Sequence, residues 1–116
     1  MNPAHREGMA DNPAMNIREL TPEQARARQL AGAAMIDVRE AHERAGGMAE
    51  GARGVAKGEL LADPPAFLPF PEQEIVLLCQ SGRRSAEAAA ALLAAGYADV
   101  ASVVGGTVAW RAAGLP

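Results

Sequence analysis

The run Glu74-Ile75-Val76-Leu77-Leu78-Cys79 constrains this chain more than any other stretch of it. Four consecutive large apolar residues leave no polar face, so a strand built from them must be covered on both sides, as central strands of parallel sheets are. A glycine- and arginine-containing stretch, Gln80-Ser81-Gly82-Arg83-Arg84, follows at once. Beyond it, residues 85–95 are rich in alanine and leucine, open on the capping-type Ser85 and stop before Gly96, which predicts a helix. Strand, short loop and helix in this order predict an α/β layer fold.

The rest of the chain repeats that alternation. Thr21-Pro22-Glu23-Gln24 is a helix start in which Thr21 caps, Pro22 occupies the first helical position and Gln24 completes a capping box; the helix runs to about Leu30 and stops at Gly32. Residues 35–38 form a short apolar run, read as a buried strand, with a polar helical turn over 41–44 after it. Residues 100–104 predict a strand, Gly105-Gly106 a turn, and 107–113 a helix ended by Gly114. Residues 45–74 are rich in Gly and Pro, and only Val55 and 59–62 suggest short elements. The first fifteen residues carry Pro, Asn and charges without apolar periodicity, which predicts a disordered tail or an appended extension at 1–15 before a domain at 16–116.

A chain of 116 residues is about one domain, large enough for its own core. Alanine supplies nearly half of the hydrophobic residues and the large aromatics are only Phe67, Phe70, Tyr97 and Trp110, so helices should lie close to their neighbours and Trp110 should anchor a core. The formal charge is -3 and ten arginines are scattered among fourteen acids, which argues against a nucleic-acid surface. No run of about eighteen apolar residues could span a membrane, and the first residues lack the apolar core of a secretory signal, so a cytoplasmic location is expected.

One cysteine, Cys79, forms no intramolecular disulfide and no structural zinc site, and no metal or cofactor is expected. Its position is what matters. It stands at the carboxyl end of a buried strand beside a helix amino terminus, the edge at which open α/β sheets bind ligands. Backbone N–H groups of the following loop can form an anion nest, with Gly82 supplying the backbone freedom. A free thiol with pKa about 8.5 is roughly 3% ionised at pH 7, whereas about 6.5 gives roughly 75%, and the thiolate is the nucleophile. No separate general base is then needed, in keeping with His5 in the tail and His42 in a polar turn. A lone buried cysteine is often only a core residue; a glycine and two arginines directly after Cys79 favour a reactive one.

Four segments in order resemble the single-domain rhodanese family: Ile36-Asp37-Val38-Arg39-Glu40 with Glu43; Gly51-Ala52 through Gly58-Glu59-Leu60; the loop Cys79-Gln80-Ser81-Gly82-Arg83-Arg84-Ser85; and Gly105-Gly106-Thr107-Val108-Ala109-Trp110 closing with Gly114-Leu115-Pro116. The resemblance implies a three-layer fold with a central five-stranded parallel sheet flanked by helices. It implies thiosulfate sulfurtransfer through a Cys79 persulfide, with Gln80, Ser81, Gly82, Arg83, Arg84 and Ser85 binding the substrate, and Asp37 and Arg39 structural. The implied partners are a small sulfur-containing donor and a thiophilic acceptor such as cyanide or a thiol, or a sulfur-accepting protein. Gly47-Met48-Ala49-Glu50-Gly51-Ala52 lacks the His and Pro that many relatives carry there. Two other functions fit the same residues. One is a persulfide carrier or regulatory relay; the other is a cysteine phosphatase, although those enzymes place five residues between Cys and Arg where Cys79 and Arg84 have four.

Overall fold

The computed structural model describes residues 10–12 and 17–116, and its centre is the apolar strand just singled out. In chain order the elements are β1 (Ala10–Asn12), β2 (Ile17–Leu20), α1 (Pro22–Leu30), β3 (Ala34–Asp37), α2 (Ala41–Arg44), β4 (Arg53–Gly54), α3 (Lys57–Ala62), α4 (Pro64–Phe67), β5 (Glu74–Leu78), α5 (Arg83–Ala94), β6 (Asp99–Val103) and α6 (Gly106–Ala112). Among the described residues they make one sheet in the order β1-β2-β6-β5-β3-β4. The last five strands in this order run parallel, and β1 pairs antiparallel with β2 at the edge.

Alternation along β5 explains why its sequence is apolar throughout. Ile75 and Leu77, with Cys79 after them, face a layer that contains Leu60 of α3 and Ala86, Ala88, Ala89 and Leu92 of α5. Val76 and Leu78 face the opposite layer, with Ala25 of α1 and Trp110 of α6. The three small buried alanines let α5 lie close over the sheet, while Trp110 fills the other side and donates its Nε1–H to the Pro116 carbonyl at 3.0 Å. The α1 capping box forms as its sequence predicts: Gln24 N–H donates to Thr21 Oγ1 at 3.2 Å and Thr21 N–H to Gln24 Oε1 at 2.9 Å.

Several elements differ from the sequence reading. Helix α5 begins at Arg83, two residues before Ser85, with Gly82 as its N-cap in a left-handed conformation (φ 104°) that glycine adopts without steric cost. Strand β2 carries no apolar signal, since Ile17-Arg18-Glu19-Leu20 places two charged residues between its buried ends; Arg18 is held by Asp99 at 3.0 Å. The expected tail at 1–15 contains β1, whose ladder hydrogen bonds require no apolar pattern; the rest of that segment lies outside the described residues. On the far edge β4 is only two residues long, pairing with Ile36 and Asp37. Beside it a cleft of about 350 Å³ is lined by Ala34, Met35, Arg53 of β4 and the chain from Phe67 to Phe70. No helix among the described residues is long and apolar enough to cross a membrane.

Trp110 is almost wholly buried, so Trp110→Ala should destabilise the protein by about 3–5 kcal/mol, read from urea unfolding.

Candidate active site around Cys79

Strand β5 delivers Cys79 to the carboxyl edge of the sheet, and the loop that follows turns so that its carbonyls face the protein and its amides face the sulfur. The Cys79 carbonyl accepts from Thr107 N–H at 2.8 Å and from the Thr107 hydroxyl at 2.9 Å. The Gln80 carbonyl accepts from Val108 N–H at 3.2 Å. Both donors belong to the first turn of α6. This approach requires Gly106, where a Cβ would stand 2.5 Å from the Cys79 carbonyl oxygen and 2.7 Å from that of Gln80. Gly82 is equally constrained: at its positive φ a side chain would be strained, and a Cβ would press on Gly105 N at 3.2 Å.

With the carbonyls occupied elsewhere, Gly82 N–H donates to Cys79 Sγ at 3.1 Å, and the Ser85 hydroxyl lies 3.4 Å from the same atom. Cys79 is 1% exposed, and that burial by itself pushes the thiol up. The Ser85 hydroxyl and the N–H groups of Ser85, Gly82 and Ser81 outweigh it, so the thiol lies below its ordinary pKa. The polar groups are buried but bonded, as the low-dielectric interior demands.

Charge is arranged around this cradle in two layers. Arg84 forms a two-point ion pair with Glu43, its Nη1 and Nη2 donating at 2.7 and 2.8 Å. That pairing, helped by Glu40 N–H, holds the Glu43 carboxyl down at about 2. Glu43 in turn raises Arg84, and the negative sulfur of Cys79 adds to the rise. Deeper, the buried Arg39 guanidinium bonds Asp37 through Nη2 at 2.8 Å and Nε at 3.1 Å, and its Nη1 and Nη2 also donate to Gln80 Oε1 at 3.2 Å, the Glu43 carbonyl at 3.3 Å and the Gly47 carbonyl at 2.7 Å. Asp37 and Arg39, two apart at the end of β3, therefore tie the loop to the segment after α2, a structural role.

The structure thus brings Cys79, Ser81, Gly82 and Ser85 together at the sulfur, with Arg84 alongside and Gln80 directed to Arg39. Arg83 projects into solvent, 87% exposed, with its Nε 3.7 Å from Glu87. His42 is exposed on α2, and among the described residues no three His, Cys, Asp or Glu side chains gather to hold a metal. Sequence reasoning does not assign roles to Glu43, Ser102 or Thr107. The spacing of Glu43 from Arg84 carries no local signal, whereas a threonine directly after Gly105-Gly106, facing the loop, is a pattern that could have pointed to the contact.

A parallel α/β sheet with a thiol cradled by backbone amides at its carboxyl edge defines a cysteine-centred α/β domain. Comparison with known proteins specifies it further: residues 21–113 match the family model for the rhodanese-like domain, and the chain belongs to that family. It is 33% identical over 98 residues to the thiosulfate sulfurtransferase GlpE of Stutzerimonas stutzeri, covering 83% of this chain and 86% of that one. To GlpE of Pseudomonas putida it is 38% identical over 99 residues, with coverage of 83% and 86%. A solved structure from Rhodopseudomonas palustris, described as a protein of unknown function and possible tyrosine phosphatase, superposes with a TM-score of 0.78 at 31% identity, covering 90% of this chain and 88% of that one. The five-stranded parallel sheet flanked by helices is the architecture the resemblance implies.

The depressed Glu43 carboxyl has a pH consequence. A group ionising at about 2 when folded and near 4.5 when unfolded adds stability above pH 4.5 that is lost as pH falls toward 2. Glu43→Gln should therefore lower the urea midpoint at neutral pH, and its deficit relative to the unsubstituted protein should shrink as pH falls through that window.

Proposed function

We propose that this protein is a thiosulfate sulfurtransferase in which Cys79 carries the transferred sulfur. The observation that carries the reading is the sulfur's own environment: Gly82 N–H at 3.1 Å and the Ser85 hydroxyl at 3.4 Å, with a lowered thiol pKa. The names of the two GlpE relatives support the choice of donor.

In the first step the Cys79 thiolate attacks the outer sulfur of thiosulfate. A new S–S bond forms, the bond between the donor's two sulfurs breaks, and sulfite leaves with its electron pair. In the second step a thiophile such as cyanide or a thiolate attacks the terminal sulfur of the resulting persulfide. The Cys79 thiolate leaves and is regenerated, and the acceptor departs as thiocyanate or a persulfide. Splitting the transfer this way replaces one difficult step by two. The amides aimed at Sγ stabilise the anion present before the first step and after the second, and bear on the anionic persulfide between them. Arg83 and Arg84 supply positive potential for the dianionic donor; Arg84 shares its charge with Glu43, so Arg83 is the freer of the two. The acceptor is small or is a protein; a carrier that takes up sulfur without efficient turnover of thiosulfate is the alternative reading.

The phosphatase reading rests on the same cradle and on the description of the Rhodopseudomonas relative. A loop with four residues between Cys79 and Arg84 suits a sulfur atom better than a phosphate group.

Intact-mass measurement after thiosulfate exposure should show the gain of one sulfur atom on Cys79 and its loss on adding cyanide. Cys79→Ser should abolish both while circular dichroism and thermal melting stay close to those of the unsubstituted protein. Turnover of an aryl phosphate with none of thiosulfate would overturn the assignment.

A further inference from the structure

Strand β6 carries one polar residue within its buried stretch. Val100 belongs to the layer under α5, and Ser102, two residues on, has the same orientation; Ser102 is fully buried, level with Leu77 of the neighbouring strand. A hydroxyl in an apolar layer is unfavourable unless it is bonded. Its one hydrogen-bond partner among the described residues is Ser85 Oγ, at 2.7 Å.

Ser85 Oγ has three neighbours: Ser102 Oγ, the Gly82 carbonyl at 3.2 Å and Cys79 Sγ at 3.4 Å. Each serine hydroxyl has one proton to donate. If Ser85 donated to Ser102, the Ser102 proton would be left buried with no acceptor. If Ser102 donates, both hydroxyls are satisfied and the Ser85 proton is free for the Gly82 carbonyl or the sulfur. The Gly82 carbonyl already accepts from Ala86 N–H at 3.2 Å, and a thiolate is the stronger acceptor.

We propose that Ser102 is a positioning residue for the nucleophile: by donating to Ser85 Oγ it commits the Ser85 hydroxyl to donate to the Cys79 sulfur. It acts through Ser85 and does not touch the sulfur. Donation into Ser85 also polarises that hydroxyl, strengthening the bond it makes. The lowered Cys79 pKa, to which the Ser85 hydroxyl contributes, agrees with this direction. The charged groups around the loop come from other elements: Arg84 on α5 with Glu43 and the nearby Glu40 and His42, Asp37 with Arg39 at the end of β3, and the outward Arg83 with Glu87. From β6 and α6 the side chains bonded to the loop are Ser102 and Thr107, both uncharged, so replacing Ser102 changes no charge at the site.

The inference rests on Cys79 being the nucleophile of the proposed reaction, but its test uses no sulfur donor. The rate of Cys79 alkylation by iodoacetamide is followed against pH. Ser102→Ala should raise the inflection by about 0.5 pH unit, which below the inflection is about threefold slower alkylation. Ser85→Ala should raise it by about one unit. The double variant should match Ser85→Ala alone, because Ser102 has no other route to the sulfur. Ser102→Thr, which keeps the hydroxyl, should restore the original profile, and thermal melts of all variants separate a thiol effect from unfolding. An unchanged or lowered inflection in Ser102→Ala, or shifts that add in the double variant, overturns the proposal. Failure of thiosulfate to load Cys79 with these shifts present would instead overturn the sulfurtransferase reading.

Discussion

Everything at the site depends on where the Cys79 and Gln80 carbonyls point. A peptide group has two polar ends, and a loop whose oxygens are captured on one side presents its amides to the other. Thr107 and Val108 capture those oxygens from the first turn of α6, and Gly106 lets that turn approach closely enough to do so. The sulfur then sits among donors without any positively charged side chain bonded to it. Oriented backbone N–H groups form an anion-favouring concavity of this kind.

The second determinant is the pair of ion contacts that brace the loop from the β3 side. Arg39 uses the geometry of a planar guanidinium with several donors to join Asp37, Gln80 and two backbone carbonyls. Arg84 and Glu43 clamp the beginning of α5 to α2. The Arg39–Gln80 and Arg84–Glu43 bonds each join residues 41 apart in sequence, so the loop is positioned by long-range structure more than by its own residues.

That division explains what could be read from the sequence. Strand β5, the body of helix α5 and the capping box of α1 were legible because each depends on neighbouring residues: a two-sided apolar run, an alanine-rich stretch stopped by Gly96, and Thr21 three residues before Gln24. Cys79, Gly82 and Ser85 were legible for the same reason, since loop and helix start are contiguous. Strands β2 and β4 were not, because two charged residues in one and a length of two residues in the other leave no periodic signal. Nor were Ser102 and Thr107, whose relation to the loop exists only after β6 packs beside β5 and α6 folds back over it.

An exposed edge strand is a template on which another chain can add, and proteins limit this by keeping such strands short or covering them. Strand β4 ends after two residues, and its Arg53 lines the cleft together with Ala34, Met35 and the chain from Phe67 to Phe70. At the other edge β1 lies against β2. Little continuous ladder is left on the β4 side for a second chain to extend, so the short strand that closes the sheet beside β3 is also the device that blunts this edge.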